Sequence, residues 1–234
     1  MRPDQIALAP MWYIIFLLSL TCHEAAHALA AKLGGDMTAF EGGQVTLNPL
    51  PHMRREPFGT ILFPILTYFM SGWMMGWASA PFDPRWAQRH PRRAAWMALA
   101  GPAANLTLVL LAGVGIHVGM SAGVFALPES ARFTHVAEAA PGTVAEGAAT
   151  FLSILFSLNL LLMAFNLLPL PPLDGITAIG VFLPHRAALR VAEWGHQPAF
   201  MLLGMVAAWR IFGYFFDPIF TLGLNLLYPG HSYH

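Results

Sequence analysis

Two histidines and two carboxylates carry the chemistry available to this chain. His23 and His27 stand four residues apart in His23-Glu24-Ala25-Ala26-His27. On a helix that spacing projects both imidazoles from one face, as two nitrogens must be to grip one divalent metal ion. Glu24, one residue on, can reach a metal-bound water without being a ligand. The pattern arises by chance in roughly one chain in a hundred of this length, so its surroundings decide its weight. They are apolar on both sides, Ile6 to Leu20 upstream and Ala28 to Leu33, apart from Lys32, downstream. Ionisable groups in a bilayer-spanning helix cost about 3 kcal/mol each and are functional by default.

The second carboxylate lies in NLLPLPPLDG, Asn166 to Gly175. Pro169, Pro171 and Pro172 cannot continue a helix, so the chain must unwind and present Asp174 on irregular backbone, tolerable in a membrane only where it lines a cavity. Asp174 is either a cap or turn residue beside Gly175 or a third metal ligand, and the paired histidines favour the ligand. Cys22 adjoins His23, but helix neighbours point about 100° apart, which favours a small packing role.

The elements that must position these groups follow from composition. Of 234 residues, 56% are hydrophobic and 10% charged, with a mean hydropathy of +0.56. Soluble domains carry about 25% charged residues, so this is a multi-pass membrane protein. A formal net charge of zero gives no case for nucleic acid or other polyanions. The lone cysteine excludes an intrachain disulfide.

The first span runs from Ile6 to Leu33 and is read as retained rather than as a signal peptide. It ends at Gly34-Gly35. The 17 residues from Ile6 to His23 cover roughly 25 Å, which puts the histidines just below the far interface. Asp36 to Leu47 alternates around Glu41-Gly42-Gly43 and predicts a short β-hairpin, closed by Asn48-Pro49-Leu50-Pro51. Its edge could pair with an extended chain or be a plain connection. Phe58 to Ala80 is apolar but broken by Pro64, Ser71-Gly72 and Gly76. Both its flanks are basic (Lys32, Arg54 and Arg55 before; Arg85, Arg89, Arg92 and Arg93 after), which favours a re-entrant segment over a span. Ala94 to Met120 spans, with Asn105 as helix glue or site lining. Ser121 to Glu146 is a loop without basic excess, as expected of the outer side. Gly147 to Leu168 spans again, Ile176 to His196 is interfacial and amphipathic, and Gln197 to Phe216 is a last span that Asp217-Pro218 breaks. The expectation is an all-α polytopic membrane protein of about four to six transmembrane helices, with a membrane-associated β-hairpin after the first. It forms one domain over residues 1–234, with a core of about 6–175 and a C-terminal amphipathic segment and helices over 176–234.

Three elements in this order, His23-Glu24-Ala25-Ala26-His27, Gly101-Pro102-Ala103-Ala104-Asn105 and NLLPLPPLDG, resemble the site-2 protease family of intramembrane zinc metalloproteases. The resemblance implies one Zn2+ held by His23, His27 and Asp174, with Glu24 as general base and Asn166 as a polar group near the scissile carbonyl. It also implies cleavage of transmembrane protein substrates near the cytosolic face, here expected in a prokaryotic cytoplasmic membrane. Relatives with a PDZ or CBS domain differ, since this chain has room for neither, and nothing after Gln197 matches a motif.

Two other classes fit part of the pattern. A non-catalytic zinc-binding membrane protein has no need of Glu24. A metal or proton transporter would string polar residues across several spans, whereas here they gather near one face. His52, after the expected hairpin, is read as interfacial rather than as an inhibitory fourth ligand, and His231 and His234 as solvated. The sequence leaves the oligomeric state open.

Overall fold

The computed structural model describes residues 3–195, 197–231 and 233. Four of its helices are long and apolar enough to cross a membrane. They are α1 (Pro3–Leu33), α6 (Pro91–Ser121), α7 (Val144–Asn166) and α10 (Pro198–Leu227). Shorter helices fill the connections: α2 (Thr38–Glu41), α3 (Pro49–Arg55), α4 (Phe63–Ser71), α5 (Pro84–Arg89), α8 (Asp174–Ala178) and α9 (His185–Gly195). α1, α6 and α7 pack against one another as the core, with Ile15, Phe16, Ile116, Ile154 and Leu158 buried between them. α10 packs on α7 and keeps a broad apolar face exposed, including Leu202, Leu203, Val206 and Phe215.

The expected β-hairpin is not there; among the described residues no strand forms, and residues 36–55 hold two short helices instead. Helix-start chemistry outweighs the alternation that the sequence shows. Asp36 Oδ1 accepts from the Thr38 amide at 3.0 Å and from Thr38 Oγ1 at 2.6 Å, starting α2. Its Oδ2 accepts from the Asp83 amide at 2.8 Å, tying the segment to the start of α5. Gly43 at φ 70° ends the turn. Asn48-Pro49, read as a hairpin closure, is a helix start as well: Asn48 Oδ1 caps Leu50 N at 3.0 Å, with Pro49 at the first position of α3. A lone two-stranded hairpin would have had to survive with unpaired edges. His52 is buried, its Nε2 3.1 Å from Thr46 O.

Residues 58–80 run out and back. A π-helical turn over Phe58–Leu62 leads into α4, 14 helical residues in all. That is about 21 Å, short of the roughly 30 Å hydrocarbon core that a span must cross. Gly72 at φ 82° stops the helix, and the chain returns without helix until Trp77 N donates to Gly59 O at 3.1 Å.

α10 runs straight through Asp217-Pro218, so the break expected there does not occur. Proline removes one backbone donor, a loss that a long apolar helix absorbs. The segment read as one amphipathic stretch is divided at Phe182–Pro184: α8 and a 3-10 turn (Ile179–Val181) lie on one side and α9 on the other. His196 and His234, included in the sequence reading, lie outside the described residues.

Candidate metal centre

α1 carries its two histidines on the face that meets α6 and α8. Both side chains are buried, as is Glu24 between them. Gly34-Gly35 ends α1 six residues beyond His27, where Trp86 Nε1 and an Arg93 guanidinium nitrogen each donate to Gly34 O at 3.0 Å. Those bonds occupy a carbonyl the helix leaves open and place a cation at its negative end.

Asp174 reaches the same point from the other side. After α7, residues 167–173 fold into tight turns, and Gly175 lies so close to the carbonyls of Leu167 and Leu168 that a Cβ would overlap both. Asp174 is thus the first residue of α8 rather than part of an irregular stretch. It is a helix-start residue that also faces the histidines, so a place in the first turn of α8 does not take its carboxylate away from them. Its Oδ2 lies 3.1 Å from His23 Nε2 and 3.3 Å from His27 Nε2, and the two Nε2 atoms are 2.9 Å apart.

The donor chemistry of this triangle decides what it can hold. His27 Nδ1 lies 2.7 Å from Met97 O, and a backbone carbonyl only accepts, so the Nδ1 proton is on that side. His23 Nδ1 donates likewise to Asn105 Oδ1 at 2.6 Å. In the neutral rings each Nε2 is then a bare lone pair, and Asp174 Oδ2 is a buried oxygen with no hydrogen-bond donor. In that state three acceptors converge with no hydrogen among them, and a cation satisfies all three. A tetrahedral ion with bonds of about 2.0–2.1 Å has edges of about 3.3 Å, close to the three distances found. A Cβ at Gly101 would strike Nε2 of both histidines, so this glycine of α6 leaves open the space that an ion needs.

Glu24 Oε2 is buried without a hydrogen-bond partner. Glu24, the three converging residues and Asn166 line one cavity of about 1440 Å³. Asn166 stands at the end of α7, half-buried, and its Nδ2 donates to Leu162 O at 3.0 Å. His52 is not among the residues whose ligand atoms converge, and Cys22 is a free, partly buried thiol. Asn105, read as helix glue or site lining, does both: fully buried, it joins His23 to α7, where its Nδ2 donates to Asn159 Oδ1 at 2.8 Å. Asn159 and the Met97 carbonyl escaped the sequence reading altogether. No motif marks a backbone acceptor, although a polar residue in an apolar span is a signal that could have raised Asn159.

The family model for peptidase family M50 matches residues 11–206. The chain therefore belongs to peptidase family M50, the site-2 protease family of intramembrane metalloproteases, in keeping with its apolar spans and buried site. Among curated proteins it is similar to "Putative zinc metalloprotease YwhC" of Bacillus subtilis (strain 168), at 35% identity over 80% of this chain and 77% of that one. It is also similar to "Putative zinc metalloprotease Rip2" of Mycolicibacterium smegmatis (strain ATCC 700084 / mc(2)155), at 30% identity over 80% of this chain and 64% of the relative. The protein of the same name from Mycobacterium tuberculosis (strain ATCC 25618 / H37Rv) is 27% identical over 88% and 70%. No solved structure gives a significant match.

Proposed function

We propose that the protein is a zinc endopeptidase that hydrolyses peptide bonds within or near transmembrane segments of substrate proteins. The observation that carries this reading is the convergence of His23 Nε2, His27 Nε2 and Asp174 Oδ2 in one cavity with Glu24, whose Oε2 is buried without a hydrogen-bond partner, inside a bundle of membrane-length helices. The family and the names of the relatives support zinc as the metal, and two imidazoles with a carboxylate suit it. Zinc bound by three residues supplies a Lewis acid and a water whose pKa falls to about 7.

The chain's own residues do the rest. Glu24 takes the proton of the attacking water and returns it to the leaving amine, the work of a general base and then a general acid. Burial without a competing donor leaves its Oε2 free for that proton. Asn166 has two amide hydrogens and uses one on Leu162 O. The other is available to the oxygen of a carbonyl under attack. The apolar walls, among them Phe16, Leu20, Trp73 and Phe165, suit a substrate drawn from a bilayer and limit water at the site.

The substrate strand-pairing role weighed for a hairpin has no hairpin to act through. The outward-and-back path of residues 58–80, with basic residues on both flanks, supports a re-entrant segment and a cytoplasmic position for this end. We take residues 1–234 as one catalytic unit in a prokaryotic cytoplasmic membrane.

Glu24→Gln in protein reconstituted with a single-span reporter tests the reading. Zinc content stays at the wild-type level, while cleavage falls by at least about 100-fold. Cleavage at the wild-type rate would remove Glu24 from the chemistry.

A further inference from the structure

A chain of side chains with one fixed direction runs across three helices and ends on His23. We infer that Ser19 and Asn159, neither of which touches the converging ligand atoms, are positioning residues that fix the tautomer of His23 through Asn105. The inference rests on reading His23 as a ligand and deepens it.

Two backbone carbonyls set the direction, because a carbonyl can only accept. In α7, Leu155 O takes a hydrogen from Asn159 Nδ2 at 2.8 Å. In α1, Ser19 Oγ donates to Ile15 O at 2.7 Å, which turns its lone pairs toward Asn159 Nδ2 at 2.9 Å. Both amide hydrogens of Asn159 are then engaged, so its Oδ1 must face Asn105. That oxygen demands a donor, and Asn105 Nδ2 supplies it at 2.8 Å, with Ser19 O 3.5 Å from the same nitrogen. The Asn105 amide is thereby oriented with Oδ1 toward His23 Nδ1, 2.6 Å away. His23 must carry its proton on Nδ1, and Nε2 is left bare on the side of His27 and Asp174.

Flipping either amide would set donor against donor or acceptor against acceptor. Ser19, Asn105 and Asn159 are each 0% exposed, so no solvent water can repair the mismatch. His27 needs no such relay, since Met97 O holds its Nδ1–H directly. His23 lies a turn deeper in α1, and its tautomer depends on α1, α6 and α7 all being in register. Metal affinity is in this way coupled to the Ser19–Asn159–Asn105 contacts between the three helices rather than to apolar packing of the core, as outer hydrogen-bond partners orient metal-binding histidines elsewhere.

Two readouts test this on the full chain in detergent: the zinc Kd by chelator competition, and the ¹⁵N-histidine NMR spectrum of metal-free protein, with the His23 signal assigned by its loss in His23→Gln. Asn159→Leu weakens zinc about ten-fold or more and converts His23 from the Nδ1–H form to a mixture of tautomers. Ser19→Ala, the milder variant, moves both readouts the same way by less, because Leu155 O still orients Asn159. Asn105→Asp offers only acceptors, so His23 keeps Nδ1–H, and adding Asn159→Leu to it leaves the Kd unchanged. Ile154→Ala, a fully buried core change on the same helix, lowers the melting temperature but not the zinc affinity. Asn159→Leu with wild-type Kd and an unmoved His23 signal would overturn the relay, as would an equal loss of zinc affinity in Ile154→Ala. Failure of the underlying reading looks different: His23→Gln then binds zinc like wild type, while the tautomer signal still reports on the relay.

Discussion

His23 and His27 bring their Nε2 atoms to within 2.9 Å of each other, each ring held from the far side at Nδ1 by Asn105 or Met97, which in the neutral rings leaves both Nε2 atoms bare. Two lone pairs at that separation repel, and the Asp174 carboxylate oxygen beside them adds a third. The fold brings them together because close-packed helices fix each ring from behind. The cation completes the arrangement.

Gly101 is the glycine on which that space depends. Gly101→Ala puts a methyl against both Nε2 atoms in a helix that otherwise favours alanine by about 1 kcal/mol. Zinc per purified chain, measured by elemental mass spectrometry, is expected to fall well below wild type while helix content is retained. Full zinc occupancy in the variant would show that the space at Gly101 is not needed.

Asn166 separates chemistry from metal binding. Asn166→Ala is expected to keep its zinc and to lower kcat for a reconstituted reporter by about 100- to 1,000-fold, the usual loss on removing one oxyanion donor. An unchanged kcat would leave Asn166 only its bond to Leu162 O.

Much of this site could be read from the residues alone, because its two stretches obey local rules. Two histidines four apart on a helix share a face wherever that helix lies, and three prolines within four residues end α7 whatever surrounds it. The four long apolar helices followed from length and hydropathy in the same way. Residues 36–47 misled because alternation and helix-start signals overlap there, and the contact that settles the matter, Asp36 to the Asp83 amide, spans 47 positions. Pro218 misled because a helix in an apolar environment tolerates a lost donor that would end one in water. The Ser19–Asn159–Asn105 relay needs three helices in register, which no single stretch of sequence displays.

Asp36 gives a pH signature remote from the metal. Burial opposes its charge, but hydrogen bonds from Thr38 Oγ1 and from the Thr38 and Asp83 amides outweigh that and hold the carboxyl below its ordinary value. A group depressed in the fold stabilises above its unfolded pKa, and that contribution is lost as pH falls through the folded value. Asp36→Asn is therefore expected to be less stable than wild type at pH 7 by about 1–2 kcal/mol. The gap should close as pH falls below the ordinary carboxylate range. Thermal melts across pH in detergent measure it, and a gap that widens toward acid would contradict the assignment.

Two distant stretches converge on one candidate metal site. Zinc per chain in purified wild type against Asp174→Ala tests it without any substrate. About one zinc is expected in wild type, with loss or strong weakening in the variant, whose α1 motif is intact. Equal zinc in both proteins, or none in wild type after reloading, would contradict it.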